Sequence, residues 1–232
     1  MKRSSQGGFT IAELLIVIAL IGVLLTFVMA NFQAGRRTND LRQAGTELSQ
    51  QFRQAQGYSI GGNSIRFCSA ASPNQYHSCA DDTTCGVGGQ CVLAVPAGGY
   101  GISISTPDNY YVFGDKNSTT AVPSRIFNDI TDDYVVKWMD LSYRSLHLTQ
   151  FKFDSQPAVI PSVTNKLDVT FEPPVGTVHF YLNGATAADS TGQLYTTLKI
   201  LVTSDYVSNG CRQVLINRIS GQISESQTSC SL

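Results

Sequence analysis

The residue that most requires a chemical explanation is Glu13, the one charged residue in the 21-residue apolar run from Phe9 to Met29. As a helix, this run would extend about 31 Å, which matches the thickness of a bilayer's hydrocarbon core. A carboxylate in that setting needs a partner, and ionisable residues within such segments usually serve a function. A nearby positive group would suit, because burying two opposite charges together costs less than burying either one alone.

A cut between Gly8 and Phe9 would create such a positive group, the α-amino group of Phe9. Residues 1–8 form a short basic leader. In an assembly of several chains, we expect Glu13 of one chain to neutralise the new amino terminus of its neighbour. Glu13 also lies in the first turn of the predicted helix, where the helix dipole favours a negative charge.

The stretch Gly8–Ala19 resembles the class III signal of type IV prepilins and pseudopilins. It shares with them the glycine before the cut, the aromatic first residue of the mature chain and the glutamate at the fifth mature position. The resemblance implies cleavage by prepilin peptidase after Gly8, N-methylation of Phe9, and assembly with other pilin or pseudopilin subunits through Glu13.

The same resemblance implies where such a subunit works. It would be a single-pass protein of a bacterial inner membrane, in contact with lipid and with an inner-membrane assembly platform. Its C-terminal domain would lie outside the cytoplasm. The assembled form would be a type IV pilus or the pseudopilus of a type II secretion system.

Other interpretations of this N-terminus and of the function remain open. One is an ordinary secretory signal peptide removed after the small-x-small site Val28–Ala30, although such apolar runs are usually shorter and lack an acid. Another is a simple membrane anchor of an unrelated surface protein. A third is a minor pilin that binds DNA or a surface.

The cysteines are even in number and all follow the apolar run, which predicts disulfides formed outside the cytoplasm. The disulfide candidates are Cys68, Cys79, Cys85, Cys91, Cys211 and Cys230. Their spacing contains no C-x2-C pair of the kind typical of zinc sites, so we expect no metal and no cofactor. Proximity favours a Cys211–Cys230 disulfide, with the other four cysteines pairing among themselves.

The apolar helix is expected to continue as an amphipathic helix over residues 30–60. Apolar or small residues recur there at steps of four and three, which predicts one stripe that packs on a globular domain. The members of the stripe are Leu41, Gly45, Leu48, Phe52 and Ala55. Gly57 and the glycine-rich stretch 61–63 are expected to end this helix.

Residues 61–232 are predicted to form a disulfide-containing, β-rich extracytoplasmic domain. Apolar residues alternate with polar ones over five stretches, with a phase slip at 149–150 that suggests a β-bulge. These stretches are 146–153, 167–171, 178–182, 198–202 and 214–216. The predicted fold class is α+β: a leader (1–8), a transmembrane helix (9–29) and its amphipathic continuation, packed on an antiparallel sheet or on two sheets.

Two parts of the β region weakly resemble the GspH/FimT family of minor pseudopilins and minor pilins. They are residues 169–176 before one hairpin, and residues 211–216 running into 220–223. Relative to that family, the cysteine-rich stretch and residues 95–145 look like an insertion. Gln222 and Ser224 stand where a basic DNA-binding tail would carry arginine.

Composition argues against several classes of function. The formal charge of -1 lacks the basic footprint of general nucleic-acid binding, so we expect no DNA partner. A hydrophobic share of 42% is too high for a disordered chain. His77, His147 and His179 are scattered, the latter two are expected to face solvent, and no nucleophile motif accompanies them, so we expect no enzyme activity.

Overall fold

The computed structural model describes most of the chain. The described residues are 10–69 (Ala30 by its backbone only), 79–116, 125–128, 133–154, 156–157, 159, 165–187, 193–207 and 210–230. The chain divides between Asn39 and Asp40 into two compact units.

One helix, α1, runs from Ile11 to Ile60. It ends in a Schellman motif, in which Gly62 takes a positive φ of 62°. The Asn63 N–H donates to the Tyr58 carbonyl at 3.0 Å and the Gly62 N–H donates to the Ser59 carbonyl at 3.4 Å. These bonds satisfy carbonyls that the end of a helix otherwise leaves unpaired. The predicted stop at 61–63 is confirmed, whereas Gly57 lies inside the helix.

The amphipathic stripe of α1 packs into the core of the second unit. Every predicted member of the stripe is buried, as is Ala44. At Gly45 the helix lies so close to the sheet that a Cβ atom would stand 2.8 Å from Cβ of Arg212. Gln51, next to the stripe, is also buried, at 8% exposed.

Twelve strands follow in the described residues, together with two short 3-10 helices at Asp82–Cys85 and Ser142–Arg144. The strands are β1 (Ile65–Cys68), β2 (Cys91–Ala94), β3 (Tyr100–Ile104), β4 (Asn109–Gly114), β5 (Tyr134–Asp140), β6 (Leu146–Phe153), β7 (Leu167–Glu172), β8 (Thr177–Leu182), β9 (Ala185–Thr186), β10 (Thr197–Ser204), β11 (Cys211–Asn217) and β12 (Ile223–Thr228).

The strands form two main sheets and one small hairpin. The four-stranded sheet has the order β12-β11-β10-β6, the six-stranded sheet has the order β5-β4-β3-β7-β8-β9, and β1 pairs with β2. Every strand pairing is antiparallel. The predicted α+β class is confirmed, in its two-sheet form.

The core consists of the alternating apolar positions of both sheets and the apolar stripe of α1. Phe153 of the four-stranded sheet meets Phe180 of the six-stranded sheet with ring centroids 5.9 Å apart. Thr149 is the extra residue of a bulge, because Leu201 pairs with Gln150 whereas the adjacent Val202 pairs with Leu148. The predicted phase slip is therefore real, and it keeps both halves of β6 facing the core.

Residues 95–145, which look like an insertion relative to the GspH/FimT family, contribute three strands to the six-stranded sheet. Strand β3 lies in the middle of the six-stranded sheet, between β4 and β7. Ile102, Ile104 and Val112 are almost completely buried. The alternation of Tyr100, Ile102 and Ile104 in β3 was present in the sequence and was overlooked, whereas the continuous apolar run of β4 gives no alternation.

Phe52 is expected to be critical for the stability of the second unit. Its side chain has no exposed surface, and deleting a buried phenyl ring typically costs about 3–5 kcal/mol. We predict that Phe52→Ala lowers the free energy of unfolding of the full chain in detergent by that order, measured by circular dichroism during denaturant titration. Gln50→Ala, at an exposed neighbouring position, is the control and should change little. Equal stability of the two variants would contradict the packing role of the stripe.

Candidate functional site

The N-terminus of α1 holds the carboxylate that the sequence singled out. Oε2 of Glu13 accepts hydrogen bonds from the backbone N–H and the Oγ1 hydroxyl of Thr10, each at 2.9 Å. In return, Oγ1 of Thr10 lies 3.3 Å from the backbone N–H of Glu13, which donates to it. This reciprocal arrangement is a capping box, which satisfies N–H groups at the start of a helix.

The capping box leaves half of the carboxylate available. Both bonds end on Oε2, and Oε1 accepts a hydrogen bond from no residue in the described part of the chain. The Glu13 side chain is exposed in the single chain. The site therefore presents a negatively charged oxygen at the positive end of the helix dipole, in an orientation fixed by Thr10.

Sequence reasoning identified Glu13 but missed Thr10. The pattern Thr-x-x-Glu at the start of an apolar helix is a capping-box signal, and it was present at residues 10–13. Gly8 and Phe9, the predicted processing and methylation residues, lie outside the described residues.

The surroundings of the site are apolar and uncovered. The large apolar side chains of the first part of α1 are 45–80% exposed. They are Ile11, Leu14, Leu15, Ile16, Val17, Ile18, Leu20, Ile21, Val23, Leu24, Leu25, Phe27, Val28, Met29 and Phe32. Among the described residues, α1 is the one helix that is long and apolar enough to cross a membrane. A surface of this kind requires lipid or other apolar helices around it.

Comparison with known proteins supports one of the interpretations of this segment. Residues 3–29 match the family model described as the prokaryotic N-terminal methylation motif. The chain carries the N-terminal motif of type IV pilin-like precursors. Searches of curated proteins and of solved structures found no match. The motif and the apolar helix together are consistent with a single-pass membrane anchor in this pilin-like chain.

In the second unit, all six cysteines of the pilin-like chain form disulfides. Cys68 is bonded to Cys85, and Cys79 is bonded to Cys91. The third disulfide, Cys211–Cys230, joins the first residue of β11 to the chain just beyond β12. Each disulfide restricts the unfolded chain and thereby stabilises the domain, in the chain-entropy account.

His147 lies between two carboxylates rather than facing solvent alone. Its Nδ1 atom lies 2.6 Å from Oδ1 of Asp108, and its Nε2 atom lies 3.2 Å from Oδ2 of Asp205. Burial lowers the pKa of His147, but the hydrogen bonds to the two carboxylates outweigh burial, so the pKa lies above its ordinary value. The protonated ring therefore joins the β3–β4 turn to the end of β10, and this stabilisation is lost as the pH rises through the folded-state pKa.

His179 is also more enclosed than the sequence predicted. Its Nε2 atom lies 2.9 Å from Oε2 of Glu172, whose other oxygen pairs with Arg125. Burial lowers the pKa of His179 below its ordinary value, Glu172 opposes this shift, and Arg125 adds to it. Both histidines alternate with core residues along their strands, as the sequence predicted, but neighbouring charged side chains leave 27% of the His147 side chain and 22% of the His179 side chain exposed. His77 lies outside the described residues.

Asp168 is a buried acid on β7. It has no exposed surface, and its Oδ2 atom lies 3.4 Å from Nζ of Lys166. Burial raises the pKa of Asp168 to about 6, with Lys166 opposing the shift. An acid whose pKa is raised on folding binds its proton more tightly in the folded state, so ionisation of Asp168 destabilises the fold.

We predict a pH dependence of stability that originates at Asp168. As the pH rises from about 4 to above 6, the free energy of unfolding should fall by a contribution of about 3 kcal/mol, because a shift of about two pKa units has that value. Asp168→Asn should remove this contribution, as denaturant titrations at a series of pH values would show. Asp40→Asn, at a half-buried position on α1, is the control. An unchanged pH slope in Asp168→Asn would contradict the assignment.

Proposed function

We propose that this chain is a pilin-like structural subunit, a minor pilin or a pseudopilin. It is cut after Gly8, methylated on Phe9, and assembled into a type IV pilus or a type II secretion pseudopilus. The observation that carries the proposal is Glu13, a carboxylate on an uncovered apolar helix with one oxygen fixed by Thr10 and the other available.

The apolar surface of α1 supports assembly through this helix. Apolar side chains lie on all of its faces from Ile11 to Met29, so lipid can surround the helix before assembly and neighbouring helices can do so afterwards. The helix surface stays in an apolar environment when neighbouring helices replace lipid. Polar groups must therefore set the orientation and the axial register of one subunit relative to the next. Glu13 is the one charged group in this segment that can do so.

The proposed partner of Glu13 is the α-amino group of Phe9 in an adjacent subunit. Cleavage after Gly8 creates this charge beside the apolar segment, four residues before Glu13. Because Oε2 is held by Thr10, the amine would approach Oε1. Each subunit carries one such amine and one such carboxylate, so a repeated head-to-tail contact satisfies every charge in the assembly, as a helical filament requires.

The other partners proposed here follow from this cycle. Prepilin peptidase cuts the leader, an inner-membrane platform extracts the subunit from lipid, and other pilins or pseudopilins receive it. The disulfide-linked domain of residues 61–232 lies outside the cytoplasm and faces outward. DNA is not a proposed partner, because Arg212 is paired with Glu225 at 3.2 Å and Nε of Arg218 donates to the Tyr195 carbonyl at 2.8 Å.

The charge and the cap of Glu13 can be separated by substitution. Glu13→Gln retains an oxygen for the Thr10 hydrogen bonds but loses the charge that pairs with an amine. We predict that it remains in the membrane and assembles roughly tenfold less or worse, the scale on which a desolvated charge pair acts. Thr10→Ala keeps the charge, removes the cap, and should reduce assembly much less. The measurement is the fraction of subunit recovered in sheared or cross-linked filaments.

Two controls complete this experiment. Thr26→Val removes a hydroxyl from the same apolar segment, where Oγ1 donates only to the Val23 carbonyl at 2.7 Å, and it should assemble normally. Intact mass establishes that each variant starts at methylated Phe9, so that a processing defect is not mistaken for an assembly defect. Normal assembly of correctly processed Glu13→Gln would refute the pairing, and a mature chain starting at Asn31 would refute the proposed function itself.

A further inference from the structure

We propose that four cysteines at the β1–β2 hairpin form a tetrathiolate zinc site when they are reduced. This cysteine cluster consists of Cys68, Cys79, Cys85 and Cys91. In the oxidised chain the same residues form two disulfides. The inference concerns a binding site in the second unit and does not depend on assembly through α1.

The sulfur atoms of the cluster converge on one point of the fold. The Sγ atoms of Cys68, Cys79 and Cys85 all lie within 4.8 Å of one another. The fourth sulfur, that of Cys91, is bonded to Cys79. Cys68 and Cys91 are also direct partners across the β1–β2 ladder. Two disulfides of one domain need not lie close together, so the proximity of these sulfur atoms is a specific feature of the hairpin.

The backbone positions of Cys68 and Cys91 do not depend on the disulfides. The β1–β2 ladder pairs four residues of each strand, and the Ser69 N–H extends it by donating to the Gln90 carbonyl at 2.8 Å. The Cys91 N–H donates to Oδ1 of Asp82 at 2.7 Å. These hydrogen bonds remain when the sulfur–sulfur bonds are broken, so reduction leaves both thiols at the end of the hairpin.

Cys79 and Cys85 are held by a second set of contacts. Cys85 ends the 3-10 helix Asp82–Cys85, which Asp81 caps by accepting hydrogen bonds from the N–H groups of Thr83 and Thr84. The chain beside Cys79 is tied to β1, because a guanidinium nitrogen of Arg66 donates to the Ala80 carbonyl at 2.8 Å. All four thiols are thus positioned before any metal arrives, which reduces the ordering entropy that binding must overcome.

The geometry and chemistry of the cluster suit zinc. Zinc binds four thiolates in a tetrahedron with Zn–S bonds of about 2.3 Å, which places neighbouring sulfurs about 3.8 Å apart. Small side-chain rotations from the present positions reach that spacing once the disulfides open. Cys68 and Cys85 are completely buried, whereas Cys79 and Cys91 are half-buried. A cation can reach the site from the side of the half-buried pair, Cys79 and Cys91. The completely buried pair, Cys68 and Cys85, excludes water from the other side.

The two states are related by a balanced reaction. A dithiol reductant transfers two electrons and two protons to each disulfide, giving four thiols and two molecules of cyclic oxidised dithiol. One Zn²⁺ ion then displaces the four thiol protons and forms four Zn–S bonds. A newly made chain, before its disulfides form, has the same four thiols. The zinc site would hold the hairpin in its native arrangement until two molecules of a disulfide oxidant each remove two electrons from a pair of thiolates and are reduced to thiols, which forms the two protein disulfides and releases Zn²⁺.

This site could not be predicted from the sequence, because the cysteine spacing lacks the C-x2-C pairs typical of zinc proteins. The fold supplies the missing proximity, through a strand pairing and a 3-10 helix. The chain also contains an internal control. Cys211 and Cys230 form a separate disulfide, and no further metal-ligand cluster involving them exists in the described residues.

The test uses the full chain in detergent, reduced with a dithiol under nitrogen, desalted, and titrated with Zn²⁺ against a chromophoric chelator. We predict one Zn²⁺ per chain. An alkylating reagent should then modify Cys211 and Cys230 and spare the four cluster cysteines, as peptide mass mapping would show.

Cobalt(II) in place of zinc should give the absorption bands of tetrahedral thiolate coordination. The Cys211→Ser/Cys230→Ser double variant should behave in the same way, whereas Cys85→Ser/Cys91→Ser should lose the metal.

Two results would overturn the proposal. One is modification of all six cysteines of the reduced wild-type chain at the same rate with and without Zn²⁺. The other is Zn²⁺-dependent protection that includes Cys211 and Cys230, since zinc would then bind thiols outside the cluster. Both readouts come from the wild-type chain, so they hold even if a cysteine variant fails to fold.

Discussion

The constraint on which the account depends is the presence of an ionised carboxylate in an apolar helix. A carboxylate in hydrocarbon requires compensation, and the compensation of Glu13 within the described part of the chain is incomplete. Thr10 satisfies one oxygen through two hydrogen bonds and leaves the other free to accept. The cap orients the group but does not neutralise it. A charge that is held in place and still unpaired is suited to recognising a cation on another molecule.

The rest of α1 follows from two residue patterns on one continuous helix. From Ile11 to Met29 the helix is apolar on all faces, and it has no core of its own to enter. From Leu41 to Ala55 the apolar residues narrow to a single stripe, which packs with both sheets in one core. The helix is therefore consistent with a membrane anchor at one end and forms part of a folded domain at the other. Three disulfides cross-link that domain.

Features with a local physical cause could be predicted from the sequence, and features that depend on long-range contacts could not. The stripe of α1, the helix stop at Gly62 and the bulge at Thr149 each follow from a pattern in neighbouring residues. Strand β4 was missed because its continuous apolar run gives no alternation, whereas the alternation of β3 was local and was overlooked. The pairing of His147 with Asp108 and Asp205, and the burial of Asp168, arise only when distant segments meet. The convergence of the four cysteines has the same origin, whereas the capping box of Thr10 was local and was overlooked.

The most direct measurement of the central claim is an inter-subunit distance in assembled filaments. Filaments would be formed from a mixture of two subunit populations, one isotopically labelled at phenylalanine nitrogen and the other at glutamate carbon, and studied by solid-state NMR. The account predicts a contact of about 4 Å between the α-amino nitrogen of Phe9 in one population and the carboxyl group of Glu13 in the other. A free Phe9 amine with no contact to Glu13 across populations, or a chain with no free amine at Phe9, would contradict it.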